Sequence, residues 1–460
     1  MECGIKTTTH GSSFFPGPEY WNESFVFWRL ELEIRMPKNK SNVTIPHSEF
    51  RIPHSEGIVI TGIGIISACG IGKEAFWKNC LEGRSGIAPI QSFDTSAYRS
   101  HLGAEARDFN PKDFMPSLKY RRMSRVSRLA VAASIEAIKD AALTVSPPSA
   151  PSIGVVLGTG YGSTAQTDEF FVGMLKEGPE GANPSLFPDT VPNAPASQVS
   201  IYHGLQGPNT TFSHNEVSGE QALSYAFRLL RENRAQAILA GSVDEMSFVL
   251  FHSFSALRAL SPGDKQEEGM RPFDRKRNGR VLGEGAGILV LEKEGRAKER
   301  GARIYGSLAA CASTGSPAGI SHYESGGEQM ARAMERTVHQ AGISSDEVDY
   351  VSAAANSTRE LDRAEAKAIQ EVFGGGNRSP AVSSLKGHTG DFCGCGTLRA
   401  AALLLSMESR KIPPTAGLKD PEFDLDHVLD RPRDKKIKYA LLNGFSFGGS
   451  NACLLFKKEI

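Results

Sequence analysis

The chain has 460 residues, with 52 basic against 52 acidic side chains, 40% apolar and 23% charged residues. At about 150 residues per domain this is too long for one small domain, and the composition is that of a globular protein. Zero formal charge without a long basic run removes the electrostatic case for nucleic acid; no run of about 18 apolar residues offers a membrane span.

Residues 1–56 differ from the rest. They hold aromatics without a period (Phe14, Phe15, Tyr20, Trp21, Phe25, Phe27, Trp28), no signal-peptide pattern, and a direct repeat, IPHSE, at 45–49 and 52–56. They read as a disordered arm, or as translated upstream sequence with a start at Met36, and a docking arm is the functional alternative. With no signal pattern, the expected location is cytoplasmic.

From Gly57 the pattern is ordered. GIVITGIGIIS (57–67) is an apolar, β-branched run that predicts a buried strand. Helical spacing follows at 73–82 and 124–143, then strands at 152–160, 235–245 and 285–294. Beyond 305 the pattern predicts helix 326–341, strand 349–354, helix 359–373, strand 381–384, helix 391–409 and a closing hairpin, KYALLNGFSF with NACLLF. Alternating strands and helices mean α/β layering, in two runs split near 306. The expected organisation is therefore an N-terminal extension (1–56) and two halves, 57–306 and 307–460.

The seven cysteines (3, 69, 80, 311, 393, 395, 453) are odd in number and lack a disulfide-framework spacing. Cys393 and Cys395 form a C-x-C pair with only His388 near in sequence, so small-residue packing is the simpler reading, and neither metal nor cofactor is expected. In GPNTTFSHNEVSGEQALSYAFRLLREN (207–233), a strand-like TTF runs into a tight turn and a helix opening near Val217, with Leu223, Phe227 and Leu230 on one stripe. Such a junction is where α/β enzymes hold a nucleophile, because free N–H groups at a helix N-terminus stabilise a thiolate or oxyanion. Here the residue at the tip is Glu216.

Five motifs carry a family resemblance: VITGIG near the start, FDTSAY (93–98), RPFDRKRNGRVLGEGAGILVLE (271–292), SSLKGHTGD (383–391) and NGFSFGGSNA (443–452). Their order and spacing from 57 to 460 resemble the β-ketoacyl-carrier-protein synthase II family, the chain-elongating ketosynthases of fatty acid and type II polyketide synthesis. The resemblance implies a thiolase-like, five-layered αβαβα fold of two similar halves. It also implies a cysteine at the elbow, where Glu216 stands, a histidine where Ala354 stands in Ala353–Thr358, and a second where Asp391 follows the retained Lys386 and Gly390. Phe447 matches the position whose backbone N–H completes the oxyanion hole, with no oxyanion expected here.

Condensation needs a thiolate to carry the acyl chain and imidazoles to stabilise an enolate. Glutamate would form only a labile anhydride, alanine donates nothing and an ionised aspartate repels an enolate. The resemblance thus points to the family's chain-length factors, non-catalytic subunits that pair with an active ketosynthase, shape its polyketide tunnel and meet an acyl carrier protein through the complex. Glu216 is expected to be buried and paired with Lys386 as a plug. Tyr161, Thr164 and Asp168, at spacings of 3 and 4, would share a helical face at the interface, with Tyr161 a tunnel stop and Leu186 and Phe187 in a following loop; plain dimer packing is the alternative for all five. An acyl transferase or hydrolase using Glu216 or Asp391, and an acyl-binding homodimer, are the other functions considered. Aromatic polyketide and reduced polyene products both stay open.

Overall fold

The structure is a computed structural model that describes residues 56–264, 267–374 and 379–458; the readings made for residues 1–55 lie outside them. Among the described residues, ten strands of three or more residues form one continuous sheet. The first five are β1 (Ile58–Ser67), β2 (Ile153–Gly158), β3 (Asn209–Phe212), β4 (Ala237–Asp244) and β5 (Gly285–Lys293). The second five are β6 (Gly306–Gly315), β7 (Tyr350–Ser352), β8 (Ala381–Ser383), β9 (Tyr439–Phe445) and β10 (Ser450–Lys457).

The two sets repeat one topology. In the first, β3-β2-β4 are parallel and β5 and β1 follow antiparallel. In the second, β8-β7-β9 are parallel and β10 and β6 follow antiparallel. They join where β1 meets β6 antiparallel, from Ile58 opposite Leu308 to Ile60 opposite Gly306.

Helices cover each half as the apolar spacing requires. Numbering those of eight or more described residues, they are α1 (Lys73–Leu81), α2 (Arg125–Asp140), α3 (Thr164–Glu177), α4 (Ala194–His203), α5 (Ser218–Arg231), α6 (Phe248–Ala256), α7 (Glu328–Gln340), α8 (Arg359–Phe373) and α9 (Cys395–Ser409). Leu223 and Leu230 of α5 and Leu398, Leu403 and Leu404 of α9 share a core with Ile60, Leu289, Leu442 and Leu454. That core is the middle layer. Outer cores form where α2 and α4 pack on Val155, Leu239 and Val290, and where α7 and α8 pack on Val351, Leu441 and Leu455. Helix, strand, helix, strand, helix is the five-layered αβαβα arrangement. Residues 395–407 of α9 are buried throughout because the helix lies between two sheet layers.

The helix expected from 391 begins only at Cys395. Asp391 instead donates its backbone N–H to Val281 O (2.8 Å) and accepts from Gly283 N–H (3.1 Å), so tertiary pairing holds residues 391–394 out of the helix. The expected shared helical face of Tyr161, Thr164 and Asp168 does not form either. Tyr161 precedes α3, which starts at Thr164, and only Thr164 and Asp168 lie on it. No helix among the described residues is long and apolar enough to cross a membrane.

Candidate functional site: a closed ion cluster

Strand β3 ends at Phe212, and the chain turns through a short 3-10 turn, Asn215–Val217, into α5. Asn215 takes a left-handed φ of 49°, which asparagine tolerates better than most residues. Ser218 Oγ clamps the turn by donating to Asn215 O (2.6 Å) and accepting from His214 N–H (2.9 Å). This aims the Glu216 side chain into the protein, where the residue is 2% exposed.

A buried carboxylate without partners is costly. Glu216 has four. Arg280 Nη1 lies 2.6 Å from Oε1, and Tyr323 Oη donates at 2.6 Å to Oε1, with Oε2 2.8 Å away. Asn356 Nδ2 donates to Oε1 at 3.3 Å and the Phe447 backbone N–H to Oε2 at 3.2 Å. The partner expected for Glu216, Lys386, is engaged elsewhere: its Nζ is 2.8 Å from Asp391 Oδ1. The correct partner is Arg280, which also lies 3.0 Å from Asp391 Oδ2. Charge and reach decide the pairing. Lys386 and Asp391 leave the same tight turn, whereas Arg280 follows Gly279 on the segment whose residues 281–283 hold the Asp391 backbone.

The cluster is electrically closed. Two carboxylates face two cations, and Asn356 Nδ2 bridges them with a second bond to Asp391 Oδ2 (2.9 Å). Burial works against the charges of Lys386, Arg280 and Asp391, yet the opposing ions prevail. Lys386 is pushed up against burial by Asp391, and Arg280 well up against burial by Tyr323, Glu216 and Asp391. Asp391 is held below the ordinary carboxylate range against burial by Lys386 and Arg280. The Arg280 guanidinium also lies 5.4 Å from the Phe254 ring centre and 6.0 Å from that of Phe447, within cation–π reach of two aromatic rings.

Phe447 was expected to have no anion to serve. Its N–H donates to the Glu216 carboxylate, so this backbone donor is occupied from within the chain. Ala354, 1% exposed, packs in an outer core, and its N–H donates to Glu365 Oε1 (2.8 Å).

Beside the cluster, Tyr161, Glu216, Asp244, Phe254, Arg280 and Cys393 line a cavity of about 30 Å³, room for a water or two and not for an acyl chain. The Tyr161 ring meets Phe254 edge-on at 6.3 Å. Thr164 Oγ1 donates to Ser247 Oγ (2.8 Å), and Asp168 is exposed. Leu186 is half-buried, while Phe187 is 59% exposed and packs on Phe170 at 5.7 Å. Tyr161 therefore borders the cluster, while Asp168 and Phe187 face outward and are not drawn to it.

Neither Cys393 nor Cys395, next to the cluster, is an activated thiol. Burial and the Asp244, Glu216 and Asp391 charges push the Cys393 thiol well up, and burial raises Cys395 to about 11. Both stay protonated near neutrality, and the thiolate is the reactive form. The C-x-C pair and His388 do not meet at a common site. His388 Nδ1 and Nε2 lie 2.8 and 2.9 Å from Arg84 O and Pro414 O.

Arg280, Tyr323 and Asn356 escaped sequence reasoning. A signal for Arg280 existed: two carboxylates aimed at one pocket need two cations, Lys386 supplies one, and a lone arginine sits in the apolar, glycine-rich NGRVLGEGAG. Tyr323 lies in a Gly/Ser/Pro-rich loop without any such mark.

Comparison places this scaffold among known proteins. Residues 55–297 match the family described as Beta-ketoacyl synthase, N-terminal domain, and 305–419 the Beta-ketoacyl synthase, C-terminal domain. Similar curated proteins include 3-oxoacyl-[acyl-carrier-protein] synthase 2 of Staphylococcus aureus (strain COL), 37% identical over 405 residues, 87% of this chain and 98% of that protein. The protein of that name from Vibrio harveyi is 35% identical over 407 residues, with the same shares of each chain. Among solved structures, the ishigamide ketosynthase/chain length factor superposes with a TM-score of 0.82 at 28% identity, over 88% of this chain and 100% of that one. A beta-ketoacyl synthase from Burkholderia phymatum STM815 gives 0.81 at 30% identity, with the same coverage.

Proposed function

Because the chain belongs to the beta-ketoacyl synthase family but holds a closed ion cluster around Glu216 and Asp391, where the family resemblance implies a nucleophile and a histidine, we propose that it is a non-catalytic, chain-length-factor-type subunit. In this reading it pairs with an active ketosynthase and shapes the tunnel in which a polyketide chain grows, while the partner receives the acyl carrier protein. The carrying observation is the Glu216–Arg280–Asp391–Lys386 cluster. An acyl thioester needs a free thiolate; this pocket offers two carboxylates already bound to cations. The cluster also makes Glu216 or Asp391 a poor general base, since a base must release its partner to take a proton.

Exposed apolar side chains support the pairing. Phe171 and Leu175 of α3, with Phe187 and Phe248 nearby, are 52%, 85%, 59% and 46% exposed. Such a concentration is typical of a surface that another protein covers.

The relatives named as synthases favour a second reading, a condensing enzyme in its own right. One experiment separates the two. The chain is produced alone and together with an active ketosynthase, and each sample is incubated with acyl- and malonyl-carrier protein. Mass spectrometry of the intact subunits then locates the acyl group. The expected result is acylation of the ketosynthase only. Acylation of this chain on its own, with extension by two carbons, would refute the proposal.

A further inference from the structure

Away from the ion cluster, three potential metal ligands meet in the core. Cys69 lies in the turn after β1, Cys80 on α1 and His388 in the short helical turn Lys386–Thr389. They are 2%, 0% and 0% exposed, and one donor atom from each falls within 4.8 Å of the other two. The sulfurs are 3.8 Å apart. Two thiolates bound tetrahedrally to zinc at about 2.3 Å would be separated by about 3.8 Å.

The histidine adds an independent argument. Its Nε2 is 2.9 Å from Pro414 O, and its Nδ1 is 2.8 Å from Arg84 O. A neutral imidazole has one N–H. It can satisfy one carbonyl, and its other nitrogen then turns a lone pair toward the second carbonyl's lone pairs. A cation shared between them, either a second proton or a metal ion, relieves that repulsion. The Arg84 carbonyl is also 3.7 Å from Cys69 Sγ, so the same oxygen borders both the sulfur and Nδ1. Metal-bound histidines ordinarily donate their other N–H to a carbonyl, the position Pro414 O holds against Nε2.

We propose that Cys69, Cys80 and His388, with the Arg84 carbonyl as a fourth donor, form a site for a thiophilic divalent cation of the zinc class. Cys69 Sγ, Cys80 Sγ, His388 Nδ1 and Arg84 O complete an S2NO donor set with no position open to substrate, the mark of a structural site. Burial suits an ion taken up as the chain folds. The site would pin α1 to the turn that carries Lys386, next to Asp391.

The test is elemental analysis of the full chain, co-purified with its ketosynthase if it needs one, after growth with added zinc. The expected content is about one zinc per chain, retained through dialysis and released when the thiols are titrated, with a lower Tm after chelation. Cys69→Ser and Cys80→Ser should lose the metal, while Cys311→Ser, outside the cluster, should keep it. Wild-type protein that is metal-free and whose Tm is unmoved by zinc would overturn the proposal, whether or not the serine variants fold. So would a nitrogen NMR signature of doubly protonated His388, the proton then being the cation between Nδ1 and Arg84 O.

Discussion

Arg280 Nη1 stands 2.6 Å from Glu216 and 3.0 Å from Asp391, so a single guanidinium neutralises charge on both. A buried pair gains little over well-packed apolar residues, but removing one partner strands the other. Arg280→Met should therefore destabilise the fold by about 3–5 kcal/mol, read by chemical denaturation. Adding Glu216→Gln should recover part of that loss, because one stranded charge is gone; strictly additive effects would show that the two side chains are not coupled. Glu245 provides a pH test. Burial lifts its carboxyl from 4.5 to about 7, although Ala165 and Val126 N–H groups donate to it. The folded form thus favours the protonated acid, and this contribution to stability declines as pH rises from 4.5 to 7. Glu245→Gln keeps the neutral form, so its stability relative to wild type should climb across that window and then level off. Parallel stability curves would remove burial as the cause.

At the scale of elements, the close approach of β1 to α2 depends on two glycines. A Cβ on Gly62 would stand 2.3 Å from Ala137 O, and one on Gly64 1.9 Å from Ala133 O. Both obstacles are helix backbone and cannot rotate aside. Gly64→Ala should cost about 1–3 kcal/mol, the usual range for overpacking a core, and lower the Tm. An unchanged Tm would mean that the helix can slide on the strand. The two middle-layer helices are joined by a buried pair, Arg399 Nη1 of α9 to Glu220 Oε1 of α5 at 3.1 Å. The apolar pattern makes both helices evident and is silent about this bond, because it connects residues on opposite halves of the fold.

For the molecule as a whole, the exposed apolar side chains of Phe171, Leu175, Phe187 and Phe248 sit on α3, on the segment between α3 and α4, and at the start of α6. If α3 meets the ketosynthase, Phe171→Asp should abolish co-purification with it and leave the Tm of this chain nearly unchanged, since Phe171 is already 52% exposed. Retained co-purification would move the interface elsewhere. Tyr161→Ala removes a ring that borders Glu216 and Phe254, and in the pair it should shift products to longer chains by mass spectrometry. An unchanged distribution would leave Tyr161 a packing residue.

The order of strands and helices was legible in the chain because each element buries a periodic face, and α8 runs from Arg359 to Phe373 as the spacing predicts. The glutamate at the strand-turn-helix tip was legible too, since it is a matter of residue identity and Glu216 does stand in the turn between β3 and α5. What neutralises that glutamate was not. Glu216, Arg280, Tyr323, Asn356 and Asp391 come from separate segments, and which cation meets which anion depends on distances that only the packed layers create. The same holds for Cys69, Cys80 and His388, where local spacing suggested Cys393 and Cys395 as histidine's neighbours and the fold delivered two others. Local pattern specifies what a segment becomes; the partner of a buried charge or ligand is chosen by tertiary contact, because desolvation penalises every arrangement that leaves it unmet.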